Sequence, residues 1–289
     1  NGTSPSPHPI VIISNLENYI HANRGRGKSL YLQISSMGDK KPDIVAGNDL
    51  PDFNPDEEYL QELKSPIYYA VQKDIDIRTG EPTLIDFDMQ RISQRINIIL
   101  NIRTEGDIKK EDLLPPIIEL SGACGHFNIS EACLDTTRLY RMVHQAQPDE
   151  FTQTGENTYR CVVHFHTLGV IPSAAKGHLN GPGILQVALQ VSANRLDASG
   201  APVLDQDGKP VKNSRYIYGA INPYDELTAA QLIEVRDGKT YLRYSKDDVN
   251  IEITSPLVIK ADQIVSDDTG MGWQPNDPTN PDDDIIIEI

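Results

Sequence analysis

Apolar and polar residues alternate along several stretches of the chain, the period of a strand with one buried face. In RISQRINIILNI, Ile92, Ile96, Ile98, Leu100 and Ile102 share one face, while Arg91, Arg95, Asn97 and Asn101 take the other. In ILQVALQVSA, Leu185, Val187, Leu189 and Val191 alternate with Gln186, Ala188, Gln190 and Ser192, and in DVNIEIT, Val249, Ile251 and Ile253 face one way. LIEVRDGKTYLRY predicts a hairpin hinged at Asp237–Gly238, and DIDIRTGEPTLIDFD a second one turning at Thr79–Gly80. Helical periodicity is confined to three short segments: EEYLQEL (57–63), SEACLDTTRLYRMVH (130–144) and LTAAQLIEV (227–235). Many short strands punctuated by 20 Gly and 20 Pro predict an all-β protein with a sandwich as its natural architecture.

Three breaks suggest organisation. Residues 40–58 form a polar, Pro-rich excursion. Residues 197–215 hold an imperfect repeat, DASGAPV then DQDGKPV, which reads as a long hairpin tip. WQPNDPTNPDDD (273–284) is an acidic spacer before the terminal IIIEI. A Ser/Pro tract over residues 1–8 reads as a disordered linker left by processing or truncation. A boundary near residue 85 gives an N-terminal β domain over 9–85 and a C-terminal β-sandwich domain over 86–289.

Charge narrows the partners. With 42 acidic against 26 basic residues the chain carries −16, the wrong sign for nucleic acid or an anionic membrane surface as main partner. No run of 18 apolar residues is present, so no segment predicts a membrane-spanning helix. The cysteines Cys124, Cys133 and Cys161 are too few for a disulfide framework, although Cys124 with Cys133 remains open as a pair.

Candidate chemistry is sparse. ANRGRGKS (22–29) fits the loose phosphate-loop pattern, but SLYLQISS after it alternates as a strand where phosphate binding needs a helix N-terminus. It reads as an exposed basic turn. HFH puts His164 and His166 on one strand face, and CGH adds Cys124 and His126, the residue types of a zinc site. Because Cys161, Val163 and Phe165 make the apolar face of that strand, both histidines are expected outward. DQDG (205–208), SDDTG (266–270) and NDPTNPDDD (276–284) supply hard oxygen ligands, yet none completes a calcium loop. No nucleophile elbow or HExxH motif occurs, so no catalytic residue, metal or cofactor is expected.

PTLIDFDMQRISQRINIILNI (82–102), with Arg91, Arg95 and Ile96, resembles the opening strand of the second domain in Bacteroides-type fimbrillins. IIELSGACGHFNIS is similar to the family's next strand, and GKTYLRYSKDDVNIEITSPLVIKADQIV to its late Tyr-rich and alternating strands. GMGWQPNDPTNPDDDIIIEI, with Trp273, looks like the closing segment of fimbrial anchor or tip subunits. The resemblance covers roughly residues 67–289. It implies two transthyretin-like β-sandwich domains, the first short or incomplete here. It also implies an exported lipoprotein at the outer-membrane surface, assembling with other fimbrial subunits and contacting host or bacterial surface ligands. Membrane attachment would pass through a lipid anchor that is not in this chain.

Such subunits join by strand addition, in which an extended segment completes a neighbour's sheet. The run Ile285, Ile286, Ile287, Ile289 is the candidate contact strand, either donated or kept as the last strand of its own sheet. Arg24 and Arg26 mark a candidate processing loop, since stalk subunits of the family are matured by Arg-specific cleavage in an early loop. The alternative function is a surface glycan-binding sandwich, suggested by Tyr216, Tyr218, Tyr224, Tyr241 and Tyr244.

Overall fold

The computed structural model describes residues 10–24, 29–38, 57–73, 75, 82, 84–243 and 248–261. In chain order its strands begin with β1 (Ile10–Ser14), β2 (Ile20–Arg24), β3 (Leu30–Ile34), β4 (Ser36–Gly38), β5 (Glu58–Leu60), β6 (Tyr68–Gln72), β7 (Gln90–Arg91) and β8 (Gln94–Glu105). A single 3-10 turn at Lys110–Asp112 leads to β9 (Ile117–Asn128), β10 (Cys133–Gln145), β11 (Phe151–Gly155), β12 (Thr158–Thr167), β13 (Leu185–Asn194) and β14 (Lys212–Ile221). The helix α1 (Tyr224–Ala230) precedes β15 (Ile233–Arg236), β16 (Lys239–Leu242) and β17 (Asp248–Lys260).

The protein is an all-β sandwich. One layer is the four-stranded sheet β11-β12-β8-β17, antiparallel except that β17 runs parallel to β8. The other is a large sheet ordered β14-β13-β9-β10-β16-β15, extended by β3 with β2 and by β5 with β4. Alternation explains the layers. Ile96, Ile98, Leu100 and Ile102 of β8, Val163 and Phe165 of β12, and Ile251 and Ile253 of β17 point inward. There they join Leu120, Leu185, Val187 and Leu189 of the large sheet in one core. Each such side chain, fully buried, stabilises the fold by about 1.5–3 kcal/mol.

The segment before residue 85 shares this sheet and core. β3 pairs with the end of β9 through Leu32 opposite Phe127, and β5 lies parallel to β10 with Tyr59 opposite Arg141. Ile20, Leu32, Ile34, Leu60 and Leu63 pack in the same apolar cluster as the sandwich. The boundary expected near residue 85 is thus crossed by hydrogen-bonded ladders. A small separate sheet, β1-β6-β7, completes the described N-terminal part.

Two of the three predicted helices are strands. Residues 57–63 contain β5, and 130–144 overlap all but the last residue of β10. In β10, four steps from Asp135 to Leu139 span only two of β9, from His126 to Cys124, and a second irregularity separates Tyr140 from Met142. These bulges move apolar residues between faces and erase the two-residue period. On the β9 side the second irregularity falls at Gly122, whose φ is +79°. A Cβ there would stand 2.6 Å from the Gly183 nitrogen and 2.7 Å from the Ile171 oxygen. The third predicted helix is displaced: α1 stops where Gln231 adopts φ 51°, and Ile233 onward pairs as β15.

The β15–β16 hairpin turns at Asp237 (φ 50°) and Gly238 (φ 72°), the pair of left-handed residues that a tight hairpin requires. The tip of the hairpin expected at Thr79–Gly80 lies outside the described residues, and residues 84–89 carry no strand. The repeat between β13 and β14 folds as two small loops in succession rather than one long tip. In each, an Asp carboxylate closes the loop: Asp197 Oδ1 accepts the Ser199 and Ala201 N–H groups at 2.8 and 3.0 Å. Asp205 Oδ1 accepts those of Asp207 and Lys209 at 2.9 and 2.8 Å.

Candidate functional site

Several residues singled out in the sequence are dispersed by the fold. Arg24 ends β2, its backbone opposite Leu30, while Arg26, Tyr244, Trp273 and the run Ile285, Ile286, Ile287, Ile289 lie outside the described residues. The three cysteines are free and buried. Cys124 opposes Leu139 and Cys133 opposes Asn128, so the two do not face each other for a disulfide. Burial pushes the Cys124 and Cys161 thiols up, Cys161 to about 12. Of the calcium-type segments, 205–208 spends its Asp205 oxygen on its own loop.

The zinc-type residues also separate. His126 lies on β9 opposite Asp135 and against the Tyr140 ring, away from β12. Both histidines sit on the outer face as expected, His164 half-buried, but His166 is not solvent-exposed there: it is buried at 7% exposure. The physical reason is a covering segment: the Leu63 N–H donates to the His166 carbonyl at 3.1 Å, and Ser93 Oγ stands 3.0 Å from His166 Nε2. Burial, helped by the charge of Arg91, pushes His166 down to about 4 and keeps the ring neutral.

What the fold builds instead is a polar pocket of about 480 Å³ on the outer side of the four-stranded sheet. One wall is Gln61–Lys64, the chain leaving β5. The other comprises Arg95 of β8, His164 and His166 of β12, and His144 near the end of β10. The alternation that turns Val163 and Phe165 inward places His164 and His166 two residues apart on the opposite face. Register brings Arg95 beside His166 and Asn97 beside His164.

Glu150, in the turn between β10 and β11, ties the histidines together. Its Oε2 accepts from His144 Nε2 at 2.9 Å, and its Oε1 lies 3.9 Å from His164 Nε2. Burial alone would raise its carboxyl, but the Gln147 N–H and the hydrogen bond and charge of His144 bring it below the usual range. Glu62 across the pocket goes the other way: burial outweighs the pull of His144 and Arg95 and raises it. Burial and Arg95 hold His164 low. Among the described residues, no three His, Cys, Asp or Glu side chains stand ready around one point as metal ligands.

A second feature is the rim of the large sheet. β14 pairs with β13 through ten uninterrupted positions, Ile221 opposite Leu185 to Lys212 opposite Asn194. No described strand pairs on its other side. The edge strand β17 is interrupted, by a bulge between Ile253 and Leu257 and by the exposed Pro256. Proline and bulges protect an edge from further pairing, and β14 has neither.

On the outer face of β14 the rings of Tyr216 and Tyr218 stack with centroids 6.1 Å apart, beside Ile117 and Ala188. Tyr241 lies on β16, four strand spacings or roughly 19 Å away, under the Arg236 guanidinium. Tyr224 opens α1. The described tyrosines of that cluster, Tyr216, Tyr218, Tyr224 and Tyr241, are therefore not one surface.

The pocket draws on the segment after β5 and on β8, β10 and β12, and only the HFH alternation hinted at it. No protein-family model matches the chain, and no curated protein matches it in sequence. Among solved structures it is similar to a protein provisionally called an adhesin, from Bacteroides ovatus ATCC 8483. The identity is 9% and the TM-score 0.43, over 89% of this chain and 76% of that one.

Proposed function

We propose that this chain is a non-enzymatic structural or adhesive subunit of a cell-surface fimbria, an anchor or tip rather than a stalk component, joining its neighbours by β-strand addition. The observation that carries the reading is the unbroken edge of β14, on which no other described strand pairs. An arriving strand would meet a row of backbone N–H and C=O groups there, and on the inner side the half-buried Ile217. The resemblance of residues 67–289 to fimbrillins supports the same reading, as do the acidic charge and the lack of a catalytic motif. The partners would be other fimbrial subunits, at the outer-membrane surface.

Two variants test it on cells. Ile217→Lys puts a charge on the edge and is expected to leave the purified chain folded but absent from fimbriae. Truncation after Asp284 removes Ile285–Ile289 and is expected to stop incorporation if that run is donated to a neighbour. Normal incorporation and fimbrial length in both variants would refute assembly by strand addition. The stacked Tyr216 and Tyr218 favour a second reading, a glycan-binding surface on the outer face of β14. A glycan array without hits would remove it.

A further inference from the structure

We propose that the pocket between Gln61–Lys64 and the outer face of the four-stranded sheet binds a sugar acid, a carboxylate carried on a framework of neighbouring hydroxyls. Its volume of about 480 Å³ is that of a small-molecule site. Among the described residues that line it only Leu63 is apolar. Such a lining rewards a ligand that can hydrogen-bond over most of its surface, and penalises one that leaves these polar groups dry and unpaired.

Two cations select the ligand's charge. The Arg95 guanidinium and the Lys64 ammonium both border the pocket and are exposed. Among the described residues neither has an ion-pair or hydrogen-bond partner, although the chain holds 42 acidic residues. Asp248 is the register neighbour of Arg95 on β17, yet no ion pair joins them. The charge of Arg95 still pulls Glu62, His164 and His166 down across the pocket. A guanidinium with its fork unoccupied matches a carboxylate through two parallel N–H···O bonds. Because β8 lies between β12 and β17, that fork is mounted on a rigid strand before any ligand arrives. Glu62 is the lining group that opposes an anion. Burial raises its carboxyl, and a proton taken up there turns a repelling oxygen into a donor.

The hydroxyls have partners of their own. The Gln147 N–H and His144 both engage Glu150 Oε2, at 2.7 and 2.9 Å. Glu150 Oε1 is left 3.9 Å from His164 Nε2, too far for a direct hydrogen bond. Each of these two atoms therefore keeps a hydrogen-bonding position open, and adjacent hydroxyls of one sugar can fill both. The Gln61 amide adds a donor and an acceptor from the other wall.

The test is calorimetric titration of the purified chain with D-glucuronate and with N-acetylneuraminate, beside D-glucose, which lacks the carboxylate, and acetate, which lacks the hydroxyls. One saturable site is expected for at least one of the acids, with glucose and acetate at least tenfold weaker. Arg95→Met should weaken that binding at least tenfold, and Lys64→Met about threefold. Glu62→Gln should strengthen it. His178→Ala, at an exposed histidine elsewhere, should change nothing. Circular dichroism confirms that each variant is folded. Ile217→Lys, on the edge of the other sheet, should bind as wild type, so this site and assembly by strand addition stand or fall separately. The proposal is overturned if neither acid binds saturably, if Arg95→Met binds as wild type, or if glucose or acetate binds as tightly as the acids.

Discussion

Replacing Arg141 with methionine should detach β5 from the sandwich and destabilise the whole protein. Arg141 lies in β10 at 2% exposure, 3.8 Å from Glu119 Oε1 and with its guanidinium 4.2 Å from the centre of the Tyr59 ring. The Tyr59 hydroxyl donates to Glu119 Oε2 at 3.0 Å, so strand, ring, cation and carboxylate form one unit. Nearby Glu57 is raised by burial and drawn back by the Gly122 N–H and by Arg141. Methionine fills much of the volume but removes the guanidinium from beside the buried Glu119 carboxylate, and breaking a buried pair from one side costs about 3–5 kcal/mol. Glu119 keeps 12% side-chain exposure and can be partly rehydrated, which favours the lower end, about 3 kcal/mol. The assay is urea unfolding at neutral pH, comparing Arg141→Met, Glu119→Gln and the double variant. The double variant should recover at least about 1 kcal/mol relative to the sum of the two single losses, because it removes both members of the buried pair. Proteolysis between residues 57 and 63 should accelerate in the single Arg141 variant. A loss below about 1 kcal/mol for Arg141→Met, or strict additivity in the double, would refute the account.

The buried imidazole of His166 predicts a pH dependence. It stays neutral down to about 4 when folded, whereas an unfolded histidine takes a proton near 6.5. The unfolded state therefore binds more protons in that window, and the stability present above pH 6.5 is lost as pH falls toward 4, by about 3 kcal/mol. Urea midpoints at pH 7 and pH 4.5 should converge in His166→Gln relative to wild type; an identical drop in both would count against this origin. Glycines separate by environment. Gly122→Ala drives a Cβ into the backbone at Gly183 and Ile171 and should cost more than about 2 kcal/mol in urea unfolding, whereas Gly200→Ala, also at positive φ but in open space, should cost about 1. Equal losses would mean that the close backbone approach is not what selects Gly122.

How much of this was legible in the sequence depends on whether pairing is regular. The alternation in β8, in β13 and in β17 from Val249 to Ile253, ahead of its bulge, survives into the structure because the buried faces there are continuous, and Asp237–Gly238 declares its own turn. β10 was illegible: its bulges break the period, and a chain such as CLDTTRLYRMVH then mimics a short amphipathic helix. β5 is only three residues long, too short for a period to show, and it is held by pairing with β10 and by the Arg141 guanidinium over its Tyr59 ring. His166 is buried because Leu63, more than a hundred residues earlier, hydrogen-bonds across it. Glu150 carried no motif at all. Its place between two histidines comes from the turn that joins β10 to β11, and no spacing rule reports it.

The parallel pairing of β17 with β8 also sets a timetable for folding. Asn97 and Asn250, hydrogen-bonded across these strands, are 153 residues apart, and Gln94 bonds the Leu232 carbonyl from 138 residues away. Loop closure of that length must come before the contacts that reward it, which slows folding and lets nascent intermediates persist. During synthesis one side of β8 waits without a partner until β17 has emerged, long after β12 has become available on the other. For that interval a strand of twelve residues with four buried aliphatic positions on one face is open to any competing chain. Its interior polar residues, Asn97 and Asn101, are then what discourages the wrong partner, and both end on β17, in bonds to Asn250 and to the Ile253 carbonyl.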